Sequence, residues 1–344
     1  MSQAINIKCM DGSMSEIVVA GMSDSLPRLM PSETVRVIVI SDANVHHRNL
    51  DFINSYDHII IGQGESTKTL VTLEDVYRKL LALGADRDTF LLGMGGGVVT
   101  DITGFIASTY MRGMRFSFIP TTLLSQVDAS IGGKNGVNLD GYKNIVGVFS
   151  QPEFVLCDPS LLKTLPEREF RSGLAEIIKA GIIGDPELFG LFEAHSFEEL
   201  RSDNDLLRDV ICRAINVKAS IVMRDERERG ERRKLNLGHT FAHAMEKSMP
   251  TFSHGEAVAA GMAIVCEAAV KAGMLPATEA SRILKVIEKM GLPTTFPVEL
   301  KKLLSAVRLD KKRVGDSIYI VLPTTVGNCI VEKIKLEDLE DFFL

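Results

Sequence analysis

The distribution of β-forming runs constrains the fold of this chain more than any other feature. Up to about residue 160 short β-rich runs alternate with helical patterns. From about Leu161 such runs vanish until Ser317-Ile318-Tyr319-Ile320-Val321-Leu322. Thr34-Val35-Arg36-Val37-Ile38-Val39-Ile40, ending at Ser41-Asp42, is a continuous run of the kind found in strands buried on both faces. His58-Ile59-Ile60-Ile61 reads as a second strand, closed by Gly62-Gln63-Gly64-Glu65. A helix is expected over 69–83, where Leu70, Leu73, Val76, Leu80 and Leu83 line one face. Thr89-Phe90-Leu91-Leu92 and Phe116-Ser117-Phe118-Ile119-Pro120 supply further strands. Strands alternating with helices predict a parallel sheet in an α/β domain. Behind a boundary near 150–165, helical patterns are punctuated by Gly184-Asp185-Pro186, Arg229-Gly230, Pro250 and Gly291-Leu292-Pro293. The expected organisation is therefore an α/β domain over 1–160 and an all-α domain over 161–344, in keeping with a length of 344 residues. The charged stretch 196–208 reads as solvated helix.

Charge and cysteine usage narrow the function. A net charge of −6 argues against nucleic acid as the main partner and offers no basic face to an anionic membrane. An anionic substrate must then be held by a local group of cations. The five cysteines (Cys9, Cys157, Cys212, Cys266, Cys329) are scattered, without a Cys-x-x-Cys pair, which favours a reducing compartment and excludes a cysteine zinc knuckle. No run approaches the roughly eighteen apolar residues of a membrane span, and no secretory leader is read at the N-terminus, so a cytosolic location is expected.

Three stretches carry chemistry. Gly93-Met94-Gly95-Gly96-Gly97-Val98-Val99-Thr100-Asp101 joins a strand to a helix, where backbone N–H groups can approach a phosphate at the positive helix end. It departs from the standard dinucleotide fingerprint but points to a nucleotide at the carboxyl ends of the strands. The segment 121–138, followed by Tyr142-Lys143-Asn144, is dense in hydroxyls and glycine and is expected to be a functional loop. The third stretch, 232–256, holds three of the seven histidines. His239 and His243 are four apart and share a helical face, while His254 follows the helix break at Pro250. Converging imidazoles suit a divalent metal such as zinc, which needs a further ligand from elsewhere. Glu176, in a mostly apolar helical run, is either that carboxylate or an (i, i+3) ion-pair partner of Lys179. Lys179, Lys218, Arg224, Arg232, Arg233 and Lys311-Lys312-Arg313 form a reservoir of cations for an anionic substrate.

These motifs together resemble 3-dehydroquinate synthases of the shikimate pathway. The resemblance rests on Gly95-Gly96-Gly97-Val98-Val99 with Asp101, Pro120-Thr121-Thr122-Leu123-Leu124 running to Gly132-Gly133-Lys134, and Lys143-Asn144. It rests equally on Gly173-Leu174-Ala175-Glu176 with Lys179, Leu235-Asn236-Leu237-Gly238-His239-Thr240 with His243, and His254-Gly255-Glu256-Ala257-Val258. The resemblance implies an N-terminal NAD-binding α/β domain and a C-terminal helical domain with the active site between them. It implies conversion of 3-deoxy-D-arabino-heptulosonate 7-phosphate to 3-dehydroquinate and phosphate. In that reaction NAD transiently oxidises the C5 hydroxyl, phosphate is eliminated, the ketone is reduced again, and an intramolecular aldol step closes the ring. By position, Glu176, His239 and His254 would be ligands of zinc or cobalt. Asp128, Lys134, Asn144, Lys179, Lys218, Arg232, Asn236, His243 and Lys311 or Lys312 would act on the substrate. Asp42, Glu65, Lys68, Gly96, Gly97, Val98, Asp101, Thr121, Thr122, Lys134, Lys143 and Thr164 would contact NAD. A homodimer is implied as well. Thr100 and Ala242 stand where the family often has glycine. Sister sugar phosphate cyclases, such as valiolone or deoxy-inosose synthases, share the metal and NAD residues. Metal-dependent polyol dehydrogenases of the glycerol dehydrogenase type are the more distant alternative.

Overall fold

The computed structural model describes every residue except 1, 2, 11, 33, 34, 250 and 309–314. The expected substrate contact at Lys311 or Lys312, and the helix break at Pro250, therefore lie outside the described residues. The chain divides into two compact units, Met1–Leu165 and Pro166–Leu344.

The first unit is built on a seven-stranded sheet of order β1-β2-β9-β6-β5-β3-β4. Its strands are β1 (Gln3–Lys8), β2 (Met14–Val19), β3 (Val37–Asp42), β4 (Asp57–Ile61), β5 (Phe90–Gly95), β6 (Phe116–Pro120) and β9 (Phe154–Cys157), while β7 (Lys134–Leu139) and β8 (Tyr142–Phe149) form a separate ribbon. All pairings from β2 through β9, β6, β5 and β3 to β4 are parallel. Helices α1 (Met22–Leu29), α2 (Ala43–Arg48), α3 (Leu50–Ile53), α4 (Leu70–Ala82) and α5 (Gly97–Thr109) provide the crossovers. Every residue of β5 and β6 is buried, as strands covered on both faces require. Ile38, Val39 and Ile40 of β3 and Leu91, Leu92 and Met94 of β5 are fully buried in this core. The antiparallel hairpin β1–β2 at the sheet edge has no counterpart in the sequence reading.

The segment expected as one functional loop is ordered secondary structure. Residues Ser125–Ala129 form a π-helical turn in which buried Gln126 donates from Nε2 to the carbonyls of Pro120 (3.2 Å) and Asp158 (2.9 Å). Strands β7 and β8 then pair antiparallel through a tight turn in which Asp140 and Gly141 both have positive φ (49° and 78°). A left-handed pair of this kind is what a two-residue hairpin with the twist of its strands demands. The density of turn formers is thus the signature of a ribbon seated on α5, where Gly104 leaves room for the Asn135 side chain.

The second unit comprises α6 (Glu167–Gly184), α7 (Pro186–Ala194), α8 (Phe197–Ser202), α9 (Asn204–Arg224), α10 (His239–Ser248), α11 (His254–Lys271), α12 (Ala277–Lys289), α13 (Leu300–Arg308) and α14 (Leu339–Phe343). It is helical as expected, with one addition. The β-type run at Ser317 opens β10 (Ser317–Thr325), which pairs antiparallel with β11 (Asn328–Lys335). Asp185 caps α7, so the turn former read at Gly184-Asp185-Pro186 does mark a helix end, whereas the stretch 196–208, expected as one solvated helix, is split at Asp203 between α8 and α9 and buries Phe197, Leu200 and Leu207.

Two backbone approaches set the spacing of the helices that matter most. The N–H of Gly255, on α11, donates to Ser172 Oγ of α6 at 2.9 Å, and a methyl group at Gly255 would lie 2.3 Å from Ser172 Cα. A methyl group at Gly261 would lie 2.1 Å from the carbonyl oxygen of Gly238, at the start of α10. Glycine here is a packing requirement. Alanine gains at most about 1 kcal/mol of helix propensity, less than the roughly 1–3 kcal/mol lost when a packed interface is overfilled. Gly255→Ala is therefore expected to be net destabilising, read as a lower denaturant midpoint. An unchanged midpoint would show that α6 and α11 do not sit in backbone contact.

Candidate functional site

In the first unit, many of the residues singled out for a nucleotide follow the parallel strands in the chain: Asp42 ends β3, Glu65 and Lys68 come after β4, Gly96, Gly97 and Val98 after β5, and Thr121 and Thr122 after β6. Chain order reverses at β3, which has β4 on one side and β5 on the other, and ligands of open α/β sheets bind at such a switch point. Asp42 ends β3, and its Oδ1 caps α2 by accepting from the N–H groups of Asn44 (2.9 Å) and Val45 (3.1 Å). Gly96 is the N-cap of α5 and carries no side-chain cap, so the first backbone N–H groups of that helix, at Gly97 and Val98, face the site with the positive helix end behind them. Thr121 N–H bonds to the carbonyl of Gly95 at 2.9 Å, which stitches the two strand ends together, and Thr122 packs 3.2 Å from where a Gly96 methyl would stand. Lys68 is buried and ion-paired with Asp101, in the second turn of α5. Thr164 is exposed at the end of the short turn Pro159–Thr164.

The ribbon carries the next group. Asp128 lies in the π-helical turn, Lys134 opens β7, and Lys143 and Asn144 are exposed on β8. Asn144 holds a left-handed backbone (φ 52°), and its N–H donates to Asn138 Oδ1 at 2.9 Å. Asn138 in turn donates from Nδ2 to Glu65 Oε1 (2.8 Å) and from its N–H to the Lys68 carbonyl (2.8 Å). Asn138, absent from the sequence reading, thus ties the β4–α4 loop to the strand that bears Asn144.

In the second unit the structure brings Glu176, His239 and His254 together from three helices, with one ligand atom of each within 4.8 Å of the others. Glu176 Oε1 lies 3.1 Å from His254 Nε2 and 3.6 Å from His239 Nε2, while Glu176 Oε2 pairs with Lys179. Carboxylate and ammonium are both buried, so the few tenths of a kcal/mol of an exposed helical pair do not apply. The (i, i+3) ion pair with Lys179 is formed through one oxygen, and the other oxygen faces the two imidazoles. The two imidazoles are oriented through their other nitrogens: His239 Nδ1 sits 3.1 Å from the Leu237 carbonyl, and His254 Nδ1 sits 3.0 Å from Glu246 Oε1. That leaves both Nε2 atoms turned toward Glu176. Two neutral imidazoles and a carboxylate form an open three-ligand set of the kind that holds a catalytic zinc. His243 stands apart from the set, its ring 5.6 Å from that of His239 and at 80° to it. The helical spacing that pairs His239 with His243 is thus real, but the group converging on Glu176 draws on His254.

Around this group the chain concentrates cations in an acidic molecule. Lys179 of α6 and Lys218 of α9 are buried, as is Arg232, in the turn Glu231–Asn236. Arg232 is set by the loop before it: the Asp225 carboxylate accepts from the N–H groups of Arg229 (2.9 Å), Gly230 (2.7 Å) and Arg232 (3.0 Å), and the Arg232 guanidinium donates to the Glu226 carbonyl. Burial works against the charged form of Asp225, and these backbone donors overcome it and hold its carboxyl below the usual range. Asn236 Nδ2 donates to Glu228, whose backbone is left-handed (φ 58°). Arg224 pairs with Glu231, and Arg233 stacks on Tyr319, so these two cations have structural work. Burial pushes the thiols of Cys266 and Cys329 well above the ordinary value, which leaves them inert.

Residues 58–172 match the family model for the 3-dehydroquinate synthase N-terminal domain, and residues 173–313 match that for its C-terminal domain. A 3-dehydroquinate synthase of Nitrosospira multiformis is 45% identical over 276 residues, covering 79% of this chain and 75% of that protein. One from a Sulfurovum species is 42% identical and spans 88% of both chains. Among solved structures, the 2-epi-5-epi-valiolone synthase of Streptomyces hygroscopicus subsp. jinggangensis, with NAD+ and Zn2+ bound, superposes with a TM-score of 0.85. It is 30% identical, over 95% of this chain and 94% of that one.

The hydrogen bonds of His254 make cation binding a competition with a proton. Burial lowers the affinity of this imidazole for its proton, but the hydrogen bonds to Glu176 and Glu246 outweigh it and push His254 up to about 10. Its folded value lies above the ordinary one. The protonated pair therefore stabilises the metal-free chain fully below about pH 6.5, and this contribution is lost as pH rises toward 10. A divalent cation must displace that proton, so zinc affinity is expected to rise between pH 7 and 9 by up to about tenfold per unit. Titrating the metal-free protein against a competing chelator at several pH values checks this. An affinity flat across the window would contradict it.

Proposed function

The chain belongs to the 3-dehydroquinate synthase family, and we propose that the two residue groups described above divide that family's reaction between them. The enzyme converts 3-deoxy-D-arabino-heptulosonate 7-phosphate to 3-dehydroquinate and phosphate, with NAD and a divalent cation as cofactors. Because the bond to phosphate breaks by elimination, we class it as a carbon–oxygen lyase. We propose further that it acts as a cytosolic homodimer.

When bound, NAD would accept a hydride from one carbinol carbon and the cation would polarise the hydroxyl oxygen there, and the ketone so formed would acidify the neighbouring C–H so that phosphate can leave, before the hydride is returned. Glu176, His239 and His254 would hold the cation, and the donor set fits zinc or cobalt. Lys179 holds the second oxygen of Glu176 and so fixes which oxygen faces the imidazoles. Asp42 or Glu65 would receive the ribose hydroxyls, and the uncapped start of α5 at Gly96, Gly97 and Val98 would receive the dinucleotide phosphates. The Lys68–Asp101 pair would steady α5 near its start, and Thr121, Thr122, Lys143 and Thr164 would add contacts to the dinucleotide. The substrate carries a carboxylate and a phosphate, and Lys134, Lys218 and Arg232 would hold them with Asn144 and Asn236 as neutral donors. Buried Arg232 suits the carboxylate, since a guanidinium whose position is set by its own loop can give two parallel hydrogen bonds. His243 would carry a proton for the substrate, and Asp128 would lie near the reacting carbon. In this reading His243 serves proton transfer and its neighbour His239 serves the metal.

The observation that carries the reading is the convergence of Glu176, His239 and His254, which a protein that only bound nucleotide would not need. The matching experiment follows phosphate release from the heptulosonate phosphate with catalytic NAD, while absorbance tracks NADH. Phosphate release is expected to stop with a chelator and return with zinc or cobalt, and no NADH is expected to accumulate. Arg232→Lys is expected to lower kcat/KM by at least about tenfold through loss of the planar fork. Phosphate release only from sedoheptulose 7-phosphate or glucose 6-phosphate would move the chain to a sister cyclase. Stoichiometric NADH from a simple polyol would refute the cyclase reading.

A further inference from the structure

The two imidazoles facing Glu176 differ in what stands behind them. His239 is held by the carbonyl of Leu237, two residues away in the same turn, a neutral partner that no side-chain substitution removes. His254 is held by Glu246 Oε1 at 3.0 Å, a carboxylate whose side chain is only 6% exposed. Glu246 lies on α10, the helix that His239 begins, while His254 begins α11. The contact therefore spans two helices and joins the elements that carry the two histidines. Resting on the metal assignment above, we propose that Glu246 is the positioning residue of the metal centre, fixing His254 so that Nε2 faces the cation and raising that nitrogen's strength as a ligand.

An imidazole presents one lone pair and one N–H, and its hydrogen-bond partner decides which nitrogen carries which. A carboxylate at Nδ1 keeps the N–H there, so that when a cation takes the place of the Nε2 proton the lone pair falls on Nε2, the atom 3.1 Å from Glu176 Oε1. It also restrains rotation of the ring. His254 starts its helix behind the Ser253–Glu256 capping box, so its backbone is fixed independently, and Glu246 fixes what remains, the ring itself. Carboxylates behind a metal-bound histidine typically contribute about 10–100-fold in metal affinity. Glu246 has no match in the family motifs quoted from the sequence. It falls three residues after His243 and seven after His239, on the same side of the helix.

The test measures zinc and cobalt affinity directly, on metal-free protein titrated against a chromophoric chelator, with the visible spectrum of bound cobalt reporting ligand geometry. Glu246→Ala is expected to weaken affinity about 10–100-fold and to alter the cobalt spectrum. Glu246→Gln keeps an acceptor for Nδ1–H and is expected to lose less and to keep the spectrum. Glu199→Ala, which removes a surface capping residue, is expected to leave affinity unchanged. A folded Glu246→Ala with wild-type affinity overturns the proposal. Should that variant not fold, Glu246→Gln decides: weaker binding supports the proposal and equal binding overturns it. A wild-type chain that binds neither metal would instead overturn the metal assignment itself, so the two failures are distinct.

Discussion

A carboxylate withdrawn from water must be answered by positive charge, and in this molecule the answer to Glu176 organises the second unit. Burying an isolated carboxylate is far more costly than any single packing contact can offset. Glu176 meets the requirement with Lys179 on one oxygen and imidazole Nε2 atoms on the other. Those partners come from one turn of α6 and from the first residues of α10 and α11, so three helices must end or pass within a few ångströms of one point. The glycine contacts at Gly255 and Gly261 exist for that reason, since any side chain there would push the helices apart. In the proposed reading the same arrangement that relieves a buried charge would also hold the metal, so that the site and the core of this unit could not be altered separately.

The first unit solves its problem by other means. A dinucleotide offers phosphates and hydroxyls spread over a long molecule, and backbone N–H groups at a helix start with acceptors at strand ends meet it with little specialised side-chain chemistry. Glycine matters here because Cβ atoms at Gly95 and Gly96 would meet Val99 and Thr122 at 2.4 and 3.2 Å. One unit thus works mainly through backbone and shape, the other through side chains and charge. Asn138 links the two kinds of work within the first unit by joining Glu65 to Asn144.

How much of this was legible follows the same division. Strands buried on both faces announce themselves as unbroken apolar runs, and β3, β4, β5 and β6 were read within a few residues of their positions. The ribbon is hard to read as strands because its glycine and hydroxyl residues equally suit a loop, although Leu139-Asp140-Gly141-Tyr142 carries the local signal of a two-residue hairpin turn. Edge hairpin β1–β2 was missed because its alternation is short and weak. In the second unit, local spacing suggested His239 and His243, since periodicity reports neighbours along one helix and is silent about a residue that arrives on another. His254 and Glu176 are already candidates in the sequence, but choosing His254 over His243, and a ligand over a plain ion pair for Glu176, takes the family resemblance or the fold. Glu246 needed the fold, because its partner lies on the next helix. Lys311 and Lys312 lie outside the described residues.

The account stands or falls on what Glu176, His239 and His254 hold. X-ray absorption at the metal edge of zinc-loaded protein, repeated on Glu176→Gln and His254→Ala, tests it most directly. The prediction is about one zinc per chain with two imidazole nitrogens near 2.0–2.1 Å, oxygen ligands near 2.0–2.2 Å and no sulfur, disrupted in both variants. A sulfur shell, or an unchanged spectrum in both variants, would contradict the account and place the metal elsewhere.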